Sequence, residues 1–237
     1  MTTTEDPTPL REQLEYYRAR AAEYDQWWLR QGRYDRGAAL NAQWFAEAAT
    51  VSSALAAFRP AGRVLEFACG TGIWSEQLLR SASHLTLLDG SPEMLSIATA
   101  RLHSPKVRTI EADLFEWQPT EQFDSVFFGF WLSHVPPERL ADFWQLVSRC
   151  LAPSGRVFFV DSRYDHTSTA VDHRLPEQEA TVLRRRLNDG REFQIYKVFY
   201  NPAELTDRLC GLGWHFDIRQ TDTYFLYGSG HRLSADR

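Results

Sequence analysis

Lysine is almost missing from this chain: of its 26 basic residues only Lys106 and Lys197 are not arginine. Against 31 acidic residues the net charge is −5. That denies the chain the basic footprint of a general nucleic-acid binder, although a local patch stays open. Cysteine is scarce as well. Cys69, Cys150 and Cys210 are odd in number, far apart and in no metal-type motif. Neither a disulfide framework nor a metal site is expected, and a reducing cytoplasm fits. A long apolar run is also lacking: the strongest, Val126 to Val135, falls far short of the roughly 20 residues a bilayer span needs. The start, Met1 to Pro9, has no basic-then-apolar secretion pattern, and the first ten residues are expected to fray. There is no internal repeat and no low-complexity linker. What remains is 237 residues, 43% of them hydrophobic, which suits one cored domain rather than two.

The first 60 residues read as a helical cover. Leu14, Tyr17, Ala21, Tyr24 and Trp28 fall three or four apart, so Leu10 to Arg30 is expected to be helical, and Ala38 to Phe58 follows as a second helix. Residues 61–162 then alternate. Strands are expected over Val64 to Ala68, Leu85 to Leu88, Val107 to Ala112, Phe123 to Phe130 and Arg156 to Val160. Helices fall between them over Ile73 to Leu79, Pro92 to Leu102 and Pro137 to Leu151. Such alternation implies a parallel sheet covered on both faces. Residues 163–200 break the rhythm: a polar stretch precedes two strands around Asn188-Asp189-Gly190, a tight-hairpin signal. Residues 201–237 give a helix over Pro202 to Leu212 and two strands too close for a crossover, hence antiparallel. The expectation is α/β: a doubly wound, mostly parallel seven-stranded sheet with a C-terminal antiparallel hairpin, an N-terminal helical cover and a hairpin insertion after strand five.

The first strand runs through Glu66 into the small-residue turn Ala68-Cys69-Gly70-Thr71-Gly72 and then into a helix. Small residues admit a ligand close to the backbone, and the free N–H groups of a helix start can face it. Asp89 ends the second strand nineteen residues after Gly70, where an acid can accept hydrogen bonds from both ribose hydroxyls. Asp113, with Leu114 and Phe115, follows the third strand and can accept from an adenine amine. A dinucleotide fingerprint needs a third glycine, where this chain has Trp74 or Ser75, so a dehydrogenase is disfavoured.

Glu66-x-Ala68-x-Gly70-x-Gly72, Asp89 and Asp113-Leu114, in this order and spacing, resemble class I S-adenosylmethionine-dependent methyltransferases. The run Gly129 to Pro136 and the turn Leu151 to Arg156 are similar to the small-molecule, quinone-methylating type. The resemblance implies a Rossmann-like fold and S-adenosyl-L-methionine as donor, with S-adenosyl-L-homocysteine as product. It implies that Glu66 and Ala68 to Gly72 hold the methionine moiety, that Asp89, Gly90, Ser91 and Met94 hold the ribose, and that Asp113, Leu114 and Phe115 hold the adenine. Phe130 and Trp131 would border the sulfonium. Two departures stand out: Ala68 replaces the first glycine of the turn, and Ser154 replaces a glycine common before strand five. The run after strand four lacks the acid-Pro-Pro-aromatic signature of enzymes that methylate nucleic-acid amines.

Methyl transfer from a sulfonium needs alignment, exclusion of water and, for a hydroxyl acceptor, a base. His134 follows strand four and is the candidate base, or else it caps a helix or orients the acceptor. Arg163 and Tyr164 follow strand five and are candidates for the acceptor wall, unless that run is a solvated loop. Tyr17, Tyr24 and Trp28 share a helical face, which suits either core packing or a lid whose aromatic faces meet the sulfonium or the acceptor. The same spacing would allow one tyrosine hydroxyl to be buried toward the methionine carboxylate. Arg184-Arg185-Arg186 reads as a solvated edge or, if the hairpin folds over the pocket, as a binder of an acceptor carboxylate or phosphate. The expected protein is a cytoplasmic enzyme of secondary metabolism or quinone synthesis that methylates a small, partly apolar or aromatic acceptor, oxygen slightly favoured over nitrogen or carbon. A catalytically silent S-adenosylmethionine binder acting through a partner is the alternative. No nucleic acid, membrane or metal partner is expected, and a homodimer is left open.

Overall fold

The computed structural model describes residues 9–233. The expectations for residues 1–8 and for the last four residues lie outside these. Seven helices and nine strands occur within them. The cover is α1 (Pro9–Arg20), α2 (Tyr24–Trp28) and α3 (Ala38–Phe58). Then come β1 (Gly62–Phe67), α4 (Ser75–Leu79), β2 (Ala82–Asp89), α5 (Pro92–Leu102), β3 (Val107–Glu111) and β4 (Phe123–Gly129). After α6 (Leu140–Cys150) and β5 (Leu151–Ser162) the chain forms β6 (Val182–Arg186) and β7 (Glu192–Tyr196). It ends with α7 (Pro202–Gly211), β8 (Trp214–Gln220) and β9 (Phe225–Arg232).

The main sheet has the order β3-β2-β1-β4-β5-β9-β8. Strands β1 to β5 are parallel, and β9 runs antiparallel between β5 and β8. The apolar run of β4 is what sets this architecture. Val126, Phe127 and Phe128 are all fully buried, so both faces of the strand need cover. Phe127 stacks on its register partner Phe158 and Phe128 on Phe159, one pair per face. The first pair meets Phe58 of α3; the second meets Phe143 and Trp144 of α6. The chain reverses at β4, and ligands bind open sheets at such a switch point, beyond the strands' carboxyl ends.

The expected single helix over 10–30 is broken. Residues 21–23 wind as a 3₁₀ turn between α1 and α2. Three residues at the tighter pitch rotate the next helix by roughly 60°. Trp27 and Trp28 therefore turn onto Phe130 and Trp74, while Tyr16, Tyr17 and Arg20 stay on the face above the sheet edge. Strand five starts earlier than expected, at Leu151, with a register shift before Arg156 that absorbs the Pro153-Ser154-Gly155 turn.

The insertion folds back on the cover. Gln13 of α1 accepts from the Tyr196 amide at 3.0 Å and donates to the His134 carbonyl at 3.2 Å. Glu12 accepts from the Gln194 amide. Arg30 and Arg36 donate to the carbonyls of Thr167 and Thr169, which pins the 163–175 loop to the cover. α1, this loop and the β6–β7 hairpin thus form one roof over the strand tips.

Candidate active site

A cavity of about 90 Å³ lies over the tips of β1, β2 and β3. Its floor is the β1 turn. Ala68, Gly70 and Gly72 all take positive φ, at +47°, +55° and +82°. A side chain on Gly72 would press on Ala98 at 3.1 Å, so that glycine is needed for the turn to meet α5. Asp89 lines the cavity. One of its oxygens accepts from the Gly70 amide and the other from the Ser91 amide, both at 2.9 Å. Burial pushes its carboxyl up to about 6, against the pull of those amides. Met94, Asp113, Leu114, Phe115 and Trp131 complete one wall, and Leu14, Tyr17 and Tyr24 of the cover the other. Glu66, Cys69 and Thr71 border a smaller adjoining space of about 20 Å³. Burial raises the Glu66 carboxyl to about 8, and its Oε2 accepts from Ser75. Thr71 donates to Asp25 of α2, which ties the cover to the turn.

A second cavity, of about 60 Å³, lies under the roof beside the first. Tyr17, Tyr24, Phe130 and His134 border both. Its own lining carries Tyr16, Arg20, Tyr34, Ser162, Thr169, Arg185 and Lys197, and no Asp or Glu among the described residues. Lys197 is compensated: its Nζ meets Asp161 and Ser133. Arg20 and Arg185 are not. Neither has an ion pair among the described residues. Arg20 lies against the rings of Tyr16, Tyr24 and Tyr34 and donates to the Tyr34 hydroxyl, and its buried Nε has no partner. Arg185 donates to Thr169 at 3.1 Å. His173 beside it is neutral near pH 7, its value lowered to about 4 by burial and then by Arg185 and Arg33.

A methyltransferase-domain family profile matches residues 64–155. A ubiquinone biosynthesis O-methyltransferase of Xylella fastidiosa is 33% identical over 182 residues, 73% of this chain and 69% of that protein. The solved DhpI–SAH complex superposes with a TM-score of 0.78 at 38% identity, over 97% of this chain and 99% of that one. A DhpI–SAM–HEP complex matches as well, at 38% identity and 0.78.

The chain belongs to the class I S-adenosylmethionine-dependent methyltransferases.

As a methyltransferase it takes S-adenosylmethionine as donor, and the first cavity fits that ligand. A buried carboxylate, Asp89, points where ribose hydroxyls can donate. Asp89, mostly ionised near pH 7, suits a ligand that carries a nearby cation, whereas Glu66 at about 8 is mostly protonated there and offers its carboxyl as a hydrogen-bonding group. The turn leaves its ligand side clear: a side chain on Gly70 would meet nothing closer than Tyr24 at 3.7 Å.

The residues expected from sequence fall into three groups. Tyr17, Tyr24, Ala68, Gly70, Asp89, Gly90, Met94, Asp113, Leu114, Phe115, Phe130 and Trp131 line the first cavity. Glu66, Cys69 and Thr71 line its annex, and Gly72 and Ser91 act behind it, in the turn and as the α5 cap. Of the acceptor candidates, His134 borders both cavities and the other three lie elsewhere. Trp28 sits in the annex beside Trp74 rather than in the second cavity, because the 3₁₀ turn rotates it there. Arg163 is spent on the carbonyls of Thr221 and Asp222, and Tyr164 donates to the Pro176 carbonyl; neither lines the cavity. Of the arginine triplet only Arg185 turns inward; Arg184 pairs with Glu192 at the surface. Arg20 and Lys197 were not anticipated. Two signals pointed to them: a cation inside a tyrosine stripe, and one of only two lysines in the chain.

Proposed function

We propose that the enzyme transfers the methyl group to an oxygen of a small acid whose carboxylate or phosphate group sits between Arg20 and Arg185. The observation that carries this reading is the pair of guanidinium groups held under the roof with no counter-ion among the described residues. Burying a cation unpaired is costly, and an anionic ligand supplies the missing partner. Arginine suits such groups because its planar fork matches an oxyanion. The tyrosine and phenylalanine walls suit a partly apolar or aromatic body. The cavity volume equals the space of roughly four to six water molecules, so the acceptor is compact.

The chemistry follows from the charges. The donor supplies an electrophilic methyl on a positively charged sulfur. The ionised acceptor oxygen forms its bond to the methyl carbon as the carbon–sulfur bond breaks, and sulfur keeps the electron pair. Cation and anion are both neutralised, so the transition state carries less charge than the reactants. Aromatic walls that exclude water favour such a step. An ionised acid oxygen has no proton to remove, so His134 need not act as a base. An oxygen acceptor also agrees with the name of the Xylella relative.

The test has two arms. Calorimetric titration should show S-adenosylmethionine binding in the micromolar range. Release of S-adenosylhomocysteine should then be measured with benzoate, short alkyl carboxylates and alkyl phosphates, against phenols and amines. Turnover on acids above phenols and amines supports the proposal. Turnover confined to amines or phenols would reject it, and donor binding with no turnover on any acceptor would favour the silent binder.

A further inference from the structure

His134 lies at the border of the two cavities with both ring nitrogens engaged. Nδ1 is 2.6 Å from the Tyr196 carbonyl oxygen, and Nε2 is 2.7 Å from the Tyr17 hydroxyl. A carbonyl oxygen only accepts, so the ring proton must be on Nδ1. Burial, with Lys197 the next cause, holds the ring well below its usual titration range, so it is neutral. Arg185 and Arg20 push in the same direction. A neutral ring protonated on Nδ1 has a bare Nε2, and that atom can only accept. The Tyr17 hydroxyl is therefore the donor of the 2.7 Å bond. Burial raises the Tyr17 hydroxyl well above its usual value, so it keeps its proton to give. Its own oxygen is left with lone pairs and no hydrogen to offer.

Tyr17 is one of four residues common to the donor and acceptor cavities. A methyl group passing from one to the other crosses this border. Carbon–hydrogen bonds beside a sulfonium are polarised and seek oxygen acceptors. We infer that the Tyr17 oxygen is the acceptor that grips the transferable methyl, and that His134 and the Tyr196 carbonyl are its positioning relay, fixing which way the phenol donates. The hairpin thereby enters the reaction centre: β7 ends on Tyr196, so docking of the insertion sets the tautomer of His134 and the orientation of Tyr17. This role rests on the donor occupying the first cavity and concerns the donor, not the acid held by Arg20 and Arg185.

The experiment compares two ligands that differ by the methyl alone. Wild type and Tyr17→Phe are titrated with S-adenosylmethionine and with S-adenosylhomocysteine. The variant should lose preference for the methylated ligand by roughly two- to fivefold, what one C–H···O contact carries. Affinity for S-adenosylhomocysteine should hold, and kcat should fall with little change in acceptor KM. An unchanged ratio would sink the Tyr17 role, as would a rise in acceptor KM alone, which would assign the phenol to the acceptor. Wild-type protein that bound neither ligand would sink the donor placement as well. Nitrogen-15 spectra of the wild-type imidazole give a second measure that requires no variant. A proton on Nδ1 with Nε2 bare is expected, and a proton on Nε2 would overturn the relay.

Discussion

The cavity that fits the donor and the cavity proposed for the acceptor are built on opposite plans. The donor half is local. Asp89 meets the Gly70 amide across 19 residues and the Ser91 amide across two, each at the tip of a strand. The roof over the second cavity is assembled from afar: Trp27 meets Ser168 across 141 residues and Arg30 meets Thr167 across 137. Charge divides the same way, with the Asp89 carboxyl at the first cavity and, at the second, two arginines that have no ion pair among the described residues. Under the proposed assignment, backbone geometry at strand ends fixes what the enzyme takes the methyl from and the packing of a cover fixes what receives it, so the receiving half can change without disturbing the sheet.

The sharpest way to break this division is to remove the acceptor's cations. Arg20→Ala and Arg185→Ala should each cut kcat/KM for the acid by roughly 10- to 150-fold, the worth of a hydrogen bond to a charged group. Affinity for S-adenosylmethionine should stay near wild type, because neither residue borders the donor cavity. Arg185→Lys should recover only part of the loss, since an ammonium cannot reproduce the fork. A loss of donor affinity equal to the loss of acceptor turnover would show the two halves to be one unit.

Asp89 tests the other half. Asp89→Ala should weaken donor binding by roughly 1–3 kcal/mol while leaving the acceptor cavity intact. The same carboxyl gives opposite pH slopes for binding and folding. Without ligand it sits at about 6, above its ordinary 3.8, because burial disfavours the charge. Its contribution to stability is therefore full below 3.8 and is lost as pH rises through 6. Donor binding should move the other way, since the ionised form is the better acceptor for ribose hydroxyls and the better neighbour for a cation. Thermal melts and titrations between about pH 4 and 7 read both slopes. Asp89→Asn should flatten both, and a donor affinity that fell with rising pH would contradict the placement.

How much was legible in the sequence follows the same division. The places of Glu66, Gly70, Asp89 and Asp113 in the fold were readable because each stands within three residues of the end of a strand that a short apolar run announces. The helical cover and the hairpin were readable as elements, but not what they enclose. Trp28 shows why: a 3₁₀ turn of three residues sends it to the annex, and no periodicity in the sequence encodes that rotation. Arg163 and Tyr164 had the right position in the chain, but carbonyls of neighbouring loops took their donors. Arg20 is the converse, buried in its tyrosine stripe by contact with Tyr34, which lies beyond the helix break.

The smallest expected effect bears on the turn itself. Ala68 stands where the family's first glycine is common, and its φ of +47° lies in the left-handed region. A Cβ costs about 1–2 kcal/mol in that region, whereas a glycine gives up roughly 0.5–1 kcal/mol in conformational freedom. Ala68→Gly should therefore raise stability by up to about 1 kcal/mol in urea unfolding, with donor affinity nearly unchanged. Phe130, at the tip of β4, has a similar φ of +57°, yet a glycine there would not bring the same relief. Its ring packs edge-on against Trp27 at 4.7 Å and closes the wall common to both cavities. Backbone strain at Ala68 serves only the local turn and can be relieved there. At Phe130 it places a side chain on which the cover rests. A destabilised Ala68→Gly would mean that the cover, through Asp25 and Thr71, leans on the turn harder than its local geometry implies.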